Sequence, residues 1–367
     1  MKAIKFSVAA AAALAVSAFA ADGDVLKPYG VVSGEVGLYQ ISGTDGQGID
    51  VQSYASRFGL KGAHDLGGLT AVYQVEVGFN PVNGSVALDS RTGQNHVLGG
   101  NQNNNNGTVS TRNSFVGIAG GFGTFVIGNH DTPYKLAARG SGAVSNADTV
   151  ADLHLQTDRR LKGAVAYIAP ADAVGGATIA AAIVPAHTTN DKGDPQNNFS
   201  YSLGVVVPVD IIKVGAGVEV ANVSEDGIKE EASVTSFFVG VNAKIGDQFT
   251  VGLAYENVSA NDNGGKGKVS TFLLPITASL GDGLYANLGA RLTTVDKNGV
   301  PPATGFVALA PADESQTDIG LTFGKKWGKD LDAYAGAKFV TTSEKSSSLG
   351  DEKTGFDFGI GLKVSFN

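Results

Sequence analysis

The stretch Gly355-Phe356-Asp357-Phe358-Gly359-Ile360-Gly361-Leu362-Lys363-Val364-Ser365-Phe366 sets the template for the chain. Phe356, Phe358, Ile360, Leu362, Val364 and Phe366 fall on one parity. Asp357, Gly359, Gly361, Lys363 and Ser365 fall on the other. Strict period-two alternation is a β-strand with one apolar face. Its length matters as much as its period. Strands of soluble sandwiches run to about five or six residues, whereas a strand that crosses a bilayer needs about nine to eleven.

Working outward, the pattern returns. Leu69, Ala71, Tyr73, Val75, Val77 and Phe79 oppose Thr70, Gln74 and Glu76. Val32 and Val36 alternate with Ser33 and Glu35, and Phe58 and Leu60 with Arg57 and Lys61. Leu284 to Leu292 and Leu331 to Ala337 repeat it, and Ile319, Leu321 and Phe323 follow it loosely. Sixteen such segments can be marked, from Pro28 to the terminal strand. Connections alternate between short turns rich in Gly and Asp, such as Asp65 to Gly68 and Gly281-Asp282-Gly283, and long polar loops, among them Ala186 to Asn198. Gly and Asp serve in tight turns because they tolerate positive φ. The expected fold is an all-β, 16-stranded antiparallel transmembrane barrel, with short periplasmic turns and long extracellular loops. In lipid every backbone N–H and C=O must be paired, and a closed barrel has no open edge. Pro275 lies inside one strand and predicts a bulge there, because it cannot donate to the ladder.

The chain has 367 residues, and residues 1–20 read as a secretory signal peptide. Lys2 and Lys5 precede an apolar run, and Ala18-Phe19-Ala20 is a cleavage site, so the barrel domain would be residues 21–367. The formal net charge is −8, more negative once Lys2 and Lys5 leave. That argues against nucleic acid, which calls for basic patches. There is no cysteine, which removes thiolate chemistry and Cys-based metal sites. No G-x-S-x-G elbow or phosphate loop occurs, and His130 and His154 lack the spacing of a zinc motif. The reading is therefore of a protein that is not an enzyme, with no cofactor and no metal.

The longest break in the alternation runs from about 129 to 160. Thr132 before Pro133 is a helix start, which gives Tyr134 to Arg139 one or two turns. Asp131, Asp148, Asp152 and Asp158 make this loop acidic. Loops this long inside a compact fold are usually functional. Around Thr111 to Ile127 apolar residues fall on both parities, and Gly117, Ala119 and Gly128 suit a subunit contact. Tyr29, Tyr73, Phe79, Tyr255, Phe272, Trp327, Phe356 and Phe366 are candidates for the aromatic girdles of a membrane barrel.

Several segments resemble the general porins of Gram-negative bacteria. They are Ser56-Arg57-Phe58-Gly59-Leu60-Lys61-Gly62 with Asp65-Leu66-Gly67-Gly68-Leu69, and Arg112-Asn113-Ser114-Phe115-Val116-Gly117 through Gly128. Arg160 with Tyr167-Ile168-Ala169-Pro170 completes the set. The resemblance implies a homotrimer in the outer membrane, whose third loop folds inward to narrow a water-filled lumen. It implies a constriction of Arg57 and Arg160 on the wall, with Asp131, Asp148 and Asp152 as loop candidates by location. By alternation, Lys61 and Lys162 share with Arg57 and Arg160 the parity that faces away from lipid, and with Gln74, Glu76 and Glu35 they would line the pore. Asn129 stands where that family commonly has Arg. With the negative charge, this leads to an expected weak cation preference. The family tends to end on an aromatic residue; here Phe366 is followed by Asn367. The expected function is passive diffusion of small hydrophilic solutes and ions. The alternatives are a substrate-specific porin for a sugar or an anion, and a surface β-rich structural or adhesion protein whose apolar faces pack into a core.

Overall fold

The computed structural model describes residues 26–40, 47–82, 109–144, 149–157, 160–189, 195–223, 232–262, 265–298, 314–344 and 352–366. The expected leader, the Asn101 to Asn106 run, and Asp148 and Asp158 lie outside the described residues.

Each strand of the wall pairs antiparallel with its sequence neighbour. The segments are β1 (Lys27–Gln40), β2 (Gln47–Gln52), β3 (Arg57–Asp65), β4 (Thr70–Phe79), β5 (Val109–Gly120) and β6 (Gly123–Asp131). A helix, α1 (Pro133–Ser141), intervenes before β7 (Arg160–Ile168), β8 (Thr178–Thr189), β9 (Pro195–Val209), β10 (Ile212–Val223) and β11 (Ala232–Ile245). The chain continues with β12 (Phe249–Asp262), β13 (Gly265–Gly281), β14 (Leu284–Asn298), β15 (Glu314–Trp327), β16 (Leu331–Glu344) and β17 (Glu352–Phe366). β1 pairs β17 from Gly30↔Phe366 to Leu38↔Phe358, which closes the barrel.

β2 and β3 are two halves of one wall strand, so the barrel has sixteen strands. Both halves pair with β1, but the register moves by one residue between Glu35↔Gln52 and Val31↔Arg57. The extra residue is a bulge. Ala55 there holds φ 57, and the Ser33, Ser53 and Ser56 hydroxyls knit the break together, Ser53 to Ser56 at 2.7 Å.

The alternation sorts as the last strand led us to expect. Phe358, Ile360, Leu362, Val364 and Phe366 are exposed on the outside, while Gly359 and Gly361 are buried on the inner face. The same outward parity exposes Val116, Ile118, Phe125 and Ile127, then Phe237, Val239, Leu253, Phe272 and Leu288. A contiguous apolar belt of this kind asks for lipid, because each large side chain gains about 1.5–3 kcal/mol on leaving water. It is the opposite of a sandwich whose apolar faces form a core.

Aromatic rings stack along the belt, Phe237 to Tyr255 at 5.8 Å, Tyr255 to Phe272 at 4.7 Å, and Phe125 to Tyr167 at 4.7 Å. At the closing seam Phe366 reaches over β1 to Phe58, with ring centroids 6.4 Å apart. Gly30 makes this possible, since a Cβ there would sit 2.5 Å from Phe366 Cζ.

Four expectations are corrected. Tyr29 is not a girdle residue: it points inward, donating to Glu76 Oε2 at 2.9 Å. Pro275 produces no bulge. The β12–β13 register is the same at Val251↔Ile276 and Ala254↔Leu273, so the ladder leaves out the pairs between and then resumes. The second apolar parity of β5 and β6 is accounted for within the barrel. Val126 joins an inner apolar cluster with Val72, Leu161, Ala164, Ala166 and Ala182, against which Phe115 and Ala119 pack. The segment 186–198, expected to be all loop, contains the end of β8 and the start of β9.

The turns behave as their residues require. Gly67, Gly68, Gly246, Gly283 and Gly328 hold positive φ, and Asp210 and Asp282 do so at 53° and 48°.

Candidate pore constriction

The loop between β6 and β7 starts from a fixed root. Asp131 ends β6, Arg160 begins β7, and the two are a register pair. Arg160 Nε lies 3.0 Å from Asp131 Oδ1, and Lys135 Nζ reaches the same oxygen at 3.0 Å. Asn113 on β5 closes the other side, donating from Nδ2 to Asp131 Oδ2 at 3.2 Å and accepting from Asp131 N–H at 2.9 Å. Thr132 caps α1 by accepting the Lys135 N–H at 3.1 Å, with Pro133 at the first position. Gly142, at φ 70, ends the helix in the left-handed region. The helix start anticipated at Thr132-Pro133 is where it occurs.

From that root the loop crosses the inner wall and returns. Tyr134 packs edge-on against Phe238 of β11 at 4.8 Å, and its N–H donates to Ser202 Oγ of β9 at 3.0 Å. Gly142 C=O accepts from Asn242 of β11 at 2.9 Å. The tip reaches β1 and β15, where Val150 N–H donates to Glu35 Oε2 at 3.2 Å and the Thr149 and Thr322 hydroxyls meet at 3.2 Å. On the way back Arg291 of β14 donates to His154 C=O at 3.3 Å and pairs with Asp318 at 2.7 Å. Glu256 of β12 then takes both limbs. It accepts from Tyr134 OH at 2.6 Å, from Thr157 N–H at 2.9 Å, and from Gln156 N–H. Burial holds the Tyr134 phenol well above its usual pKa, with the Glu256 charge adding to the shift, so it remains a donor.

The opposite part of the wall is lined by charge. Glu76 of β4 lies between Arg112 of β5 at 2.8 Å and Arg57 of β3 at 3.6 Å. Gln74 Nε2 donates to Tyr29 OH at 2.6 Å, and Lys61 Nζ stands 5.1 Å from the centroid of the Tyr29 ring.

The structure thus brings Arg57, Glu76, Gln74 and Lys61 into one cluster, and Asp131 and Arg160 into a second. Asp131 does not face Arg160 across a gap; the two are bonded side by side. Glu35 lies on the inner face as expected, but it serves the loop tip. Asp152 pairs with His154 Nε2 at 3.3 Å, with its side chain buried. Lys162 is not brought into either cluster. A register shift between Gly128 and His130, with Gly163 at φ 64, breaks the parity that was extrapolated from Arg160. His130 Nδ1 lies 2.8 Å from Asp131 O.

Two residues went unrecognised. Arg112 was read only as part of a motif. The β4–β5 register shift between Val75 and Val77 accompanies its approach to Glu76, and alternation cannot show that. Glu256 was one polar residue among many on an alternating strand, and its partners are about a hundred residues away.

A closed transmembrane barrel with a loop laid across its inner wall is the architecture of a porin-type channel. The chain belongs to the Gram-negative porin family, whose model matches residues 7–345, and its place is the outer membrane. The major outer membrane protein P.IB of Neisseria gonorrhoeae is 36% identical over 115 residues, 29% of this chain and 27% of that protein. The match thus spans about a quarter of that relative's length. Among solved structures, the anion-selective porin from Comamonas acidovorans superposes with a TM-score of 0.67 at 16% identity, covering 94% of this chain and 100% of that one. OmpT of Vibrio cholerae in its trimer form gives 0.61 at 18% identity, with coverage of 94% and 100%. At these identities the likeness is one of fold. Family and fold mark a channel rather than an enzyme.

Proposed function

We propose that the protein forms a water-filled passage through the outer membrane for small hydrophilic solutes and ions, working as a homotrimer. The leader would be removed after Ala20. The observation that carries this reading is the loop Thr132 to Thr157, fastened across one side of the lumen while charged side chains line the other. Arg57, Arg112, Glu76 and Lys61, with Asp131 and Arg160 at the loop root, frame the narrowest part. Rings of charged side chains select ions in such passages.

For the sign of that selection, local charge outweighs net charge. Charges beyond about 8–10 Å are largely screened at physiological salt, so the surplus of acids elsewhere counts for little. At this level Glu35, Glu219, Glu256 and Asp318 are all at most 1% exposed. The Arg57 side chain is 27% exposed against 5% for Glu76. The accessible charge is cationic, which favours weak anion preference in place of the cation preference expected from composition. Zero-current potential across a planar bilayer in a salt gradient tests this. A potential on the anion side supports it. A potential on the cation side keeps the channel and overturns the sign. Folded protein that conducts nothing overturns the channel.

A further inference from the structure

The inner wall on the loop side has a feature that sequence alternation does not require. At seven points of contact with the loop the wall residue is glycine, and loop atoms stand in the space a Cβ would need. At Gly204 of β9 a Cβ would lie 2.0 Å from Pro133 O, and at Gly215 of β10 it would lie 2.5 Å from Ser141 Cβ. At Gly240 of β11 it would lie 2.7 Å from Ala143 Cβ, and at Gly252 of β12 it would lie 2.8 Å from Pro275 Cγ on the next wall strand and 3.1 Å from Ala143 Cα. At Gly289 of β14 it would meet Leu153 Cδ1 at 3.0 Å, and at Gly320 of β15 Ala151 O at 2.0 Å. At Gly336 of β16 it would meet Val150 Cγ1 at 3.1 Å. None of these seven has a positive φ, so backbone conformation does not explain them. Close approach does.

We infer that the bore is set by the wall: these glycines form a track that lets the loop sink to a fixed depth, and Glu256 and Glu35 fasten it there. The inference rests on the channel reading and assigns positioning roles to residues that touch no solute. Both carboxylates are buried, at 0% and 1% exposure, and both spend their oxygens on loop donors and on tyrosines of the same contact. Depth is then a property of the wall sequence. A Cβ at Gly204 or Gly320, which would fall 2.0 Å from a loop carbonyl oxygen, lifts the loop toward the lumen, because non-bonded atoms need about 3.5 Å or more between centres.

Two experiments decide it. Gly320→Ala and Gly204→Ala, purified as folded barrels, are compared with Gly34→Ala, where a Cβ meets nothing within 4 Å. Single-channel conductance and the rate of vesicle swelling in sugars of graded size are read. The track variants should lose roughly a quarter of the conductance and admit a smaller largest sugar, since a charged or narrowed constriction governs passage. Wild-type values in both overturn the inference. Should those variants fail to fold, Leu153→Cys with Gly289→Cys supplies the second reading. The chain has no cysteine, and a Cβ at Gly289 would lie 3.7 Å from Leu153 Cβ, within the usual range of about 3.5–4.5 Å for a disulfide. Oxidation should close the bridge and leave conductance equal to that of the reduced form. A folded barrel that forms no bridge, or whose conductance changes on closing it, overturns the seated loop. The bridge forms whether or not the barrel conducts, so its result stands apart from failure of the channel reading.

Discussion

The two sides of the lumen are built differently. On β3 to β5 the inner face carries long charged side chains: Arg57, Lys61 and Arg112 around Glu76. On β9 to β16 glycine stands at seven points where the loop crosses, and Glu219, Glu256 and Asp318 are buried. Both faces belong to one sheet with one alternation, and both would read as small and polar. The difference lies in what covers them. On the first side the charges answer one another, with Arg57 and Arg112 both set against the Glu76 carboxylate. On the second side the loop displaces water, and each polar group must find a loop partner.

The largest effect should come from removing the acceptor common to both limbs of the loop. Glu256→Ala leaves Tyr134 OH and the N–H groups of Gln156 and Thr157 without their acceptor. At about 1–3 kcal/mol for each buried donor, the loss should be roughly 3–6 kcal/mol. It should show as a lower thermal midpoint in detergent and as noisy, enlarged conductance. Glu256→Gln, which keeps one acceptor oxygen, should fall between this variant and wild type. An unchanged midpoint for the alanine variant would remove the contrast between covered and open walls.

Charge on the open side comes next. Arg57→Ala with Arg112→Ala removes two cations, of which Arg57 is the more open, and leaves Glu76 behind. The chloride-to-potassium permeability ratio should fall roughly three- to tenfold, as unit charges within one screening length of the path act at about 0.5 kcal/mol each. Reversal potentials in a salt gradient give the ratio directly. Glu76→Gln should move it the other way. If both variants moved it in the same direction, the constriction would lie elsewhere.

Asp131→Asn should have a smaller effect, because Asp131 is held between Arg160 and Lys135 and shields both only partly. Freeing the two cations should raise anion preference modestly. Loss of the charge-assisted bonds should cost about 1.5–3 kcal/mol, measured as the shift in unfolding midpoint. The sign of the permeability change is the sharper readout, since a purely structural root would move stability alone.

How much was legible follows from the range of each signal. The terminal strand, the Gly-Asp turns and the Thr132-Pro133 helix start depend on neighbouring residues, and all three read correctly. The sixteen-strand wall followed from repetition of the first. Parity held until a register shift intervened. It placed Arg57, Lys61 and Glu76 together, and lost Lys162 at Gly163 and Arg112 at the β5 bulge. Pro275 misled for a related reason, because a ladder can omit pairs without changing register. The grip of Glu256 on Thr157 joins residues far apart in sequence, and nothing local marks it. Asp131 was found by location, but its bonding to Arg160 depends on both ends of the loop meeting.

The smallest expected effect tests whether parity or geometry decides which charges count. Lys61 and Lys162 are both lysines on wall strands near an arginine, and alternation placed both in the pore. The structure separates them. Lys61 stands over the Tyr29 ring in the cluster that holds Glu76, while Lys162 is exposed beside a bulge that shifts the β6–β7 register. Lys61→Gln should lower the permeability ratio by roughly a third, less than either arginine because its charge lies on a ring that shares it weakly. Lys162→Gln should leave the ratio within measurement error. Equal shifts for the two would mean that the field is set by the whole rim and not by the cluster, and the open side of the lumen would lose its claim to the selectivity.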